Sequence, residues 1–299
     1  MPLSEPAPAK VNLGLHVLRR RADGYHDIET VFQPLAWADT VQASERTDAA
    51  YGGLALTTSD PALPTDRGNL VWRAAEALAA WAGITPEARL HLEKRVPYGA
   101  GLGSGSSDAA ATLRLLARLW RLDVPPEALH ALAAGLGADV PFFLGSGPAL
   151  GTGTGTDLAP LRRPDGSRWR SPFWLVVAVP PVHVSTAEAY RGVTPEADGR
   201  PDLAAAVTSD DLSRWRREVV NDFEPGVVAR HPAVGEALAV LKRHGAGWSA
   251  LSGSGSAVVG AFESGREARA AFEEAEASGA RAWMQAPEAS GVAEAAGAA

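Results

Sequence analysis

The segment KRVPYGAGLGSGSSDAAATL, residues 94–113, constrains the fold of this chain more than any other stretch. Its glycines alternate with other residues at positions 99, 101, 103 and 105, and an alanine- and leucine-rich segment follows. Because glycine loses much conformational freedom on folding, such density needs a structural reason. The run indicates either a flexible connector or a backbone that approaches a ligand closely, and the flanking residues discriminate between the two.

The flanking segments predict a strand before the glycines and a helix after them. Residues 89–97, RLHLEKRVP, alternate apolar and polar side chains, as in a half-buried strand. Residues 107–121 place leucine, alanine and tryptophan on one helical stripe. A strand, a glycine-rich loop and a helix together form a common phosphate site, because free backbone N–H groups and the helix dipole face the anion. The sequence therefore predicts a phosphate-binding loop.

Three well-known versions of such a loop do not match. The Walker loop requires Gly-Lys, a dipeptide that occurs nowhere in the chain. In the Rossmann fingerprint a third glycine stands where this chain has Ser104. The His-Arg-Asp and Asp-Phe-Gly partners of the protein-kinase loop are absent, and so is a Gly-x-Ser-x-Gly nucleophile elbow.

Composition narrows the class of protein further. A length of 299 residues favours two lobes. The formal charge of −7 argues against sequence-independent nucleic-acid binding, which needs a basic surface. The absence of cysteine excludes disulfides, thiolate metal sites and thiol nucleophiles. With no long apolar run and no signal-peptide pattern at the N-terminus, we expect a cytoplasmic protein without membrane contact.

Lysine is scarce in this chain, so each lysine is less likely to be an ordinary surface cation and more likely to have a specific role. Arginine supplies 25 of the 28 basic residues, and lysine occurs only at positions 10, 94 and 242. Lys10 shares one face of a predicted strand, residues 11–18, with Asn12. Lys94 falls on the apolar face of its strand, which fits equally a lysine that snorkels from the rim of a core and an ammonium held over a cleft.

The remaining pattern predicts mixed α and β structure. Residues 28–43 read as a strand that Pro34 makes bulged or edge-like. Helices are predicted over residues 69–83 and 126–137, both of which end at glycine. Further predicted elements are a buried strand (173–180), helical segments (202–243), and a strand over 248–262 followed by a helix and a last strand.

Four stretches together resemble the GHMP kinases, a family of small-molecule kinases. VPYGAGLGSGSS resembles their second motif, and LSGSGSAVVGAF (251–262) is similar to their third. APAKVNLGLHVLRRRADGYHDIETVFQPL and GADVPFFLGSGPALGTGTG (137–155) are similar to the branch whose alcohol substrate is 4-diphosphocytidyl-2-C-methyl-D-erythritol. The resemblance runs in order from residue 7 to about residue 262 and is weak over 44–66, 162–172 and 190–218. It departs at Ser104, where that branch usually has glycine, so the need for a positive φ there is open.

The resemblance implies an α+β, two-lobed fold with the active site in the cleft between the lobes. The N-terminal ATP-binding lobe would span residues 1–160, a ferredoxin-like, substrate-side lobe residues 161–288, and a disordered tail residues 289–299. The implied activity is ATP-dependent phosphorylation of the substrate's 2-hydroxyl, in isoprenoid precursor biosynthesis. Magnesium would enter with ATP, held mainly by phosphates. Both partners would be small molecules, and the sequence is silent on oligomeric state.

The resemblance also assigns roles to individual residues. Asp139 would be the catalytic base and Lys10 the partner that orients it, although an aspartate before Val-Pro is more often a turn or capping residue. Tyr25 and His26 would stack on and hydrogen-bond a cytosine. Further implied substrate contacts are Asn12, Lys94, Thr186, Gly253 and Gly255, the two glycines fitting a tight turn as well. The implied ATP contacts are Asn69, near the adenine, and the loop residues Pro97, Tyr98, Gly99, Ala100, Gly101, Leu102, Gly103, Ser104, Gly105, Ser106 and Ser107.

Three alternative functions stay open at this stage. The first is another GHMP kinase, of the mevalonate or homoserine type, which the Tyr25-His26 pair and the GADVPFF stretch disfavour. The second is a GHMP-fold protein that binds nucleotide without catalysis, against which Lys10 and Asp139 argue. The third and weakest is a glycine-rich interaction module.

The histidines show no ligand spacing, so no structural metal is expected.

Overall fold

The computed structural model describes residues 2–45 and 53–288, so the predicted tail lies outside the described residues. Its first sheet contains β1 (Leu3–Arg20), β2 (His26–Ser44), β3 (Leu54–Thr58), β4 (Ala88–Glu93), β5 (Ala149–Thr152) and β6 (Asp157–Pro160). Five of these strands follow the order β3-β4-β2-β5-β6, and β1 pairs with the other edge of β2. Helices α1 (Leu70–Ala82), α2 (Ser104–Leu119) and α3 (Pro126–Leu136) belong to the same lobe.

The long antiparallel hairpin of β1 and β2 bends at three register shifts. One shift lies between Pro8 and Lys10, directly opposite Pro34. On its other edge β2 pairs with β5 up to Phe32 and with β4 only from Thr40, so Pro34 lies in a gap where no partner needs its missing N–H. The bulge predicted from the proline is therefore confirmed, and both strands are longer than predicted.

The helix ends follow local capping chemistry. Asn69 caps α1 by accepting a hydrogen bond from the Val71 N–H, and Gly83 ends the helix in the left-handed conformation. Helix α2 begins at Ser104, three residues earlier than predicted, because Gly103 adopts the left-handed conformation and lets the chain turn directly into the helix. Much of the glycine-serine segment is thus helix rather than loop.

The second sheet is antiparallel, with the order β10-β7-β9-β8. Its strands are β7 (Trp174–Val179), β8 (Trp248–Leu251), β9 (Val258–Phe262) and β10 (Arg281–Gln285), and α8 (Pro232–Arg243) and α9 (Gly265–Ala277) pack on it. Four short helices precede α8: α4 (Thr186–Arg191), α5 (Leu203–Val207), α6 (Leu212–Glu218) and α7 (Glu224–Arg230). The prediction of a single strand over 248–262 was wrong, because the turn at 252–257 divides this segment into β8 and β9.

One hydrophobic cluster joins the two sheets. Val11 and Leu13 of β1 pack in it with Leu102 of the glycine loop, Val177 of β7 and Val259 of β9, all nearly or fully buried. Burial of these side chains removes apolar area from water at both lobes at once and so fixes the position of the loop between them. Among the described residues, no helix is long and apolar enough to span a membrane.

Candidate active site

A cavity of about 620 Å³ lies where the glycine loop, β1, the start of α4 and the turn at 252–257 meet. Eleven of the residues singled out from the sequence line it: Lys10, Asn12, Tyr25, His26, Gly99, Gly101, Gly103, Asp139, Thr186, Gly253 and Gly255. They come from distant parts of both lobes, so only the fold brings them together. Thr186 also contacts the wall of the cavity, with its hydroxyl 3.1 Å from that of Ser254.

Lys10 is a buried cation at the base of this cavity, 3% exposed. Its ammonium donates to Asn12 Oδ1 at 2.7 Å and to the Gly101 carbonyl at 2.9 Å, and it lies 3.5 Å from Asp139 Oδ2. The Phe32 ring lies 5.4 Å away, within the range of a cation–π interaction. Three acceptors therefore face the three N–H donors, and the ammonium is fixed in position.

The orientation of the Asn12 amide is set by a second buried contact. Asn12 Nδ2 donates to Thr30 Oγ1 at 2.8 Å, and the Thr30 hydroxyl donates to the Gly14 carbonyl at 2.6 Å. Because the single hydroxyl hydrogen of Thr30 is used on Gly14, its oxygen must accept from Asn12. The carbonyl end of the Asn12 amide is thereby turned toward Lys10.

Asp139 reaches the cavity from the segment that follows α3. Gly137 ends that helix, and Pro141 begins a short 3₁₀ turn, Pro141–Leu144, so the aspartate lies on a rigid connection between two helical elements. Its side chain is 34% exposed, and Lys10 is its only ion-pair partner within the described ranges 2–45 and 53–288. A carboxylate that is paired on one side and open on the other can contact a ligand in the cavity.

Close contact between two loops requires glycine at several of these positions. A Cβ on Gly255 would lie 2.1 Å from the carbonyl carbon of Ala100, and one on Gly101 would lie 2.2 Å from the Ser252 carbonyl oxygen. Gly253, with φ +57°, passes close to the Asn12 amide oxygen. The close approach at Gly101 and Gly255 is between the two loops, and the predicted approach of these glycines to a ligand stays a prediction.

The N-terminus of α2 has the features of an anion site. No side chain caps it, and the first backbone N–H groups of a helix have no partner within the helix. The Ser107 hydroxyl in this first turn is buried without a hydrogen-bond partner. Of the loop residues, Ala100 and Leu102 are buried in the core, so only their main chain could face a ligand, whereas Tyr98 is 62% exposed. These groups fit a phosphate.

Aromatic side chains form part of the wall of the cavity. The His26 ring stacks on Tyr190 with 4.6 Å between centroids and 21° between planes, and Tyr190 meets Phe223 edge to face at 4.7 Å. Burial raises the pKa of the Tyr190 hydroxyl, and the negative charge of Asp139 adds to this. Tyr25 is 67% exposed at the mouth. Tyr190 was missed from the sequence because it lies in a stretch, 190–218, that carries no motif.

Two predicted ligand contacts lie elsewhere in the structure. The ammonium of Lys94 is buried between Asp39 and Asp108 and does not line the cavity, so neither the snorkelling nor the cleft interpretation was right. Asn69 is 8% exposed, and its amide is used as the cap of α1 and as a donor to the Pro64 carbonyl, so a contact of this side chain with adenine stays a prediction without support in the geometry.

Metal-ligating side chains do not converge in the described part of the chain. No group of three or more histidine or acidic residues there could hold a metal ion. A divalent cation in the cavity would therefore need ligands other than such a cluster, and a nucleotide's phosphate oxygens are one source.

Comparison with known proteins supplies the family. The N-terminal domain model of the GHMP kinases matches residues 69–147, and the C-terminal model matches residues 203–281. A protein from Salinibacter ruber, named 4-diphosphocytidyl-2-C-methyl-D-erythritol kinase, is 55% identical over 274 residues, 91% of this chain and 94% of its own. A protein of the same name from Chlorobium phaeobacteroides is 45% identical, over 89% and 91% of the two chains.

A solved structure agrees with these relatives. The crystal structure of a 4-(cytidine 5′-diphospho)-2C-methyl-D-erythritol kinase superposes with a TM-score of 0.76 at 38% sequence identity. The superposition covers 94% of this chain and 98% of that one. Similarity of this extent includes both lobes and the cleft between them.

Proposed function

The chain belongs to the GHMP kinase family, and we infer that it transfers the γ-phosphoryl group of ATP to the 2-hydroxyl of 4-diphosphocytidyl-2-C-methyl-D-erythritol. The products are the 2-phosphate and ADP, in the biosynthesis of isoprenoid precursors. The names and near-complete coverage of the relatives support this substrate over those of other GHMP kinases. Location in the cytoplasm and division of the chain between residues 160 and 161 stay predictions.

The glycine loop and the start of α2 would hold the nucleotide. The free N–H groups of the first turn and the helix dipole favour the phosphates, and the unpartnered Ser107 hydroxyl is placed to join them. ATP, when bound, supplies the phosphoryl group, and we propose that magnesium enters with it on the phosphate oxygens. Because phosphoryl transfer depends mainly on positioning and charge stabilisation, a rigid loop is the main requirement.

In this proposal Asp139 receives the proton of the alcohol. Its carboxylate is held on one side by Lys10 and is open to the cavity on the other. As the oxygen of the substrate forms its bond to the γ-phosphorus, the bond from that phosphorus to the oxygen of the β-phosphate breaks and ADP leaves. The O–H bond of the alcohol breaks as well, and its proton passes to Asp139. The fixed connection after α3 keeps the carboxylate at one place during this transfer.

Lys10 has an electrostatic role in this proposal. Its ammonium donates to Asn12 and to the Gly101 carbonyl, so it joins the base to the backbone of the phosphate loop. A positive charge buried in a site of low polarity stabilises negative charge that develops nearby more strongly than it would in water. The same charge keeps the Asp139 carboxylate oriented.

The aromatic wall would hold the cytosine of the substrate. A pyrimidine can stack on Tyr25 or on the His26–Tyr190 pair, and the His26 ring nitrogens can hydrogen-bond its edge. The wall and Asp139 line one cavity, so a molecule with its base at one end and its alcohol near the other could contact both.

The contact between Lys10, Asp139 and the glycine loop is the observation that carries the proposal. The test is ADP release, measured with a coupled assay, across candidate alcohols that include mevalonate and homoserine. Asp139→Asn and Lys10→Met are expected to lower kcat by about 10² to 10⁴ with the melting temperature preserved. Asp198→Asn and Lys242→Met, the same changes at exposed positions outside the cavity, are the matched controls.

The outcomes separate the alternatives. Turnover of mevalonate or homoserine, without turnover of the cytidylyl substrate, would assign the chain to another branch of the family. Binding of both ligands without ADP release would show a non-catalytic protein. Full activity in either variant would remove that residue from its role.

A further inference from the structure

Lys94 occupies a closed ionic cluster beneath the glycine loop. Its ammonium lies 2.5 Å from Asp39 Oδ2, 2.6 Å from the Ser104 hydroxyl and 2.8 Å from Asp108 Oδ2. The side chains of Lys94, Asp39 and Asp108 are each 5% exposed or less. All three ammonium hydrogens therefore have acceptors within the protein, and none is left for a ligand.

The four residues of this cluster hold both ends of the loop. Asp39, at the middle of the sheet, accepts from the backbone N–H groups of Arg95 and Val96 through Oδ1 and from Lys94 through Oδ2. These contacts fix the segment where the chain leaves β4. Ser104 and Asp108 fix the other end, because both lie in the first turns of α2.

We propose that Lys94, Asp39, Ser104 and Asp108 form a loop anchor, which positions the backbone of residues 95–103 to receive the phosphates of the nucleotide. Lys94 and Asp39 are thus positioning residues for ATP and do not contact the alcohol substrate. This inference rests on the proposed function, because it takes the loop to be the nucleotide site.

The buried charges of the loop anchor compensate one another. Asp39 has three donors, whereas Asp108 Oδ1 is buried without a partner. Burial raises the pKa of Asp108 to about 7, against the opposing effect of the Lys94 charge and with the Asp39 charge adding to the rise. Below about pH 7 Asp108 therefore holds a proton, and Lys94 and Asp39 then balance one another, which limits the cost of burying the cluster.

The test is a comparison of Lys94→Gln with Lys242→Gln, an exposed lysine of the second lobe. Binding of magnesium-ADP is measured by calorimetry without alcohol, and KM is measured for ATP and for the alcohol separately. We expect Lys94→Gln to weaken nucleotide binding and raise the KM for ATP about tenfold or more, because hydrogen bonds to a buried charge are lost. The KM for the alcohol should stay within about twofold, and Lys242→Gln should match the wild type.

An effect of Lys94→Gln on the alcohol but not on the nucleotide would overturn the proposal. A raised KM for the alcohol with unchanged affinity for ADP would show that Lys94 contacts the alcohol, as the sequence alone suggested. Unchanged values for both ligands would show that the anchor is irrelevant to the loop. The calorimetric arm needs no alcohol, so it remains decisive even if the wild type does not phosphorylate the proposed substrate.

A second variant covers the case in which Lys94→Gln does not fold. Ser104→Ala removes one hydrogen bond of the anchor and leaves its charges balanced. Hydrogen exchange is measured without nucleotide, and the amides of residues 95–103 should exchange faster than in the wild type while those of β7 and β9 do not change. Unchanged exchange in the loop would overturn the proposal.

Discussion

Replacement of Thr30 by valine tests whether a buried hydroxyl, remote from any ligand, controls catalysis through the Asn12 amide. Thr30 is fully buried, and valine has nearly its shape, so the change removes the hydroxyl alone. It leaves Asn12 Nδ2 and the Gly14 carbonyl without their partner. Either group, if left buried and unpaired, costs about 1–3 kcal/mol of folding stability.

The effect of Thr30→Val on turnover depends on whether the Asn12 side-chain amide rotates. If Asn12 rotates its amide to relieve the unpaired Nδ2, that donor turns toward the Lys10 ammonium and the 2.7 Å hydrogen bond is lost. A hydrogen bond to a charged group contributes roughly 1.5–3 kcal/mol, and each 1.36 kcal/mol is a factor of ten in rate. We therefore expect kcat to fall roughly 10- to 100-fold, with the KM for ATP unchanged.

The assay is steady-state ADP release together with thermal unfolding. Thr30→Ser keeps the hydroxyl and should retain most of the activity. Thr208→Val removes a threonine hydroxyl that bonds only to a helical carbonyl in the second lobe, and it should leave kcat unchanged. If Thr30→Val lost stability but kept kcat within about twofold of the wild type, the argument that the Asn12 orientation controls Lys10 would be wrong.

Three further predictions concern the aromatic wall, the contact between the loops and the loop anchor. Tyr190→Leu should raise the KM for the cytidylyl substrate about tenfold and leave that for ATP unchanged, because it removes the ring on which His26 stacks. Gly255→Ala should lower the free energy of unfolding by about 1–3 kcal/mol in chemical denaturation, since its Cβ would overlap the Ala100 carbonyl carbon. Between about pH 4 and 7 the contribution of Asp108 to the free energy of unfolding should fall as pH rises. The reason is that folded Asp108, with its pKa raised to about 7, holds a proton that the unfolded chain has lost, and Asp108→Asn should remove this component.

Each of these has its own control. Tyr190→Phe keeps the ring and should behave as the wild type, and a change in both KM values for Tyr190→Leu would point to general disruption of the cleft. The space that a methyl group on Gly135 would occupy has no neighbouring atom, so Gly135→Ala should leave stability unchanged or raise it by up to about 1 kcal/mol. An identical pH dependence in Asp108→Asn and wild type would show that the buried proton is not on Asp108.

Local sequence determined most of the secondary structure. Asn69 and Gly83 bound α1 because a capping amide and a left-handed glycine act within a few residues, and both can be read from the chain. The bulge opposite Pro34 follows in the same way from the missing N–H of proline. The motifs also indicated the family, and eleven of the predicted site residues line one cavity.

Only the tertiary structure decided which side chains reach a ligand and which are used within the protein. Alternation placed Lys94 on the apolar face of its strand but could not show that Asp39, 55 positions earlier, and Asp108 meet it there. The glycines at 101 and 255 look alike in sequence to glycines that approach a phosphate, yet the two loops need them in order to touch. Tyr190 carries no motif and enters the site only because α4 packs beside the β1–β2 hairpin. The physical reason is that pairing of charges and close contact depend on distance in space, which a pattern of neighbours along the chain does not contain.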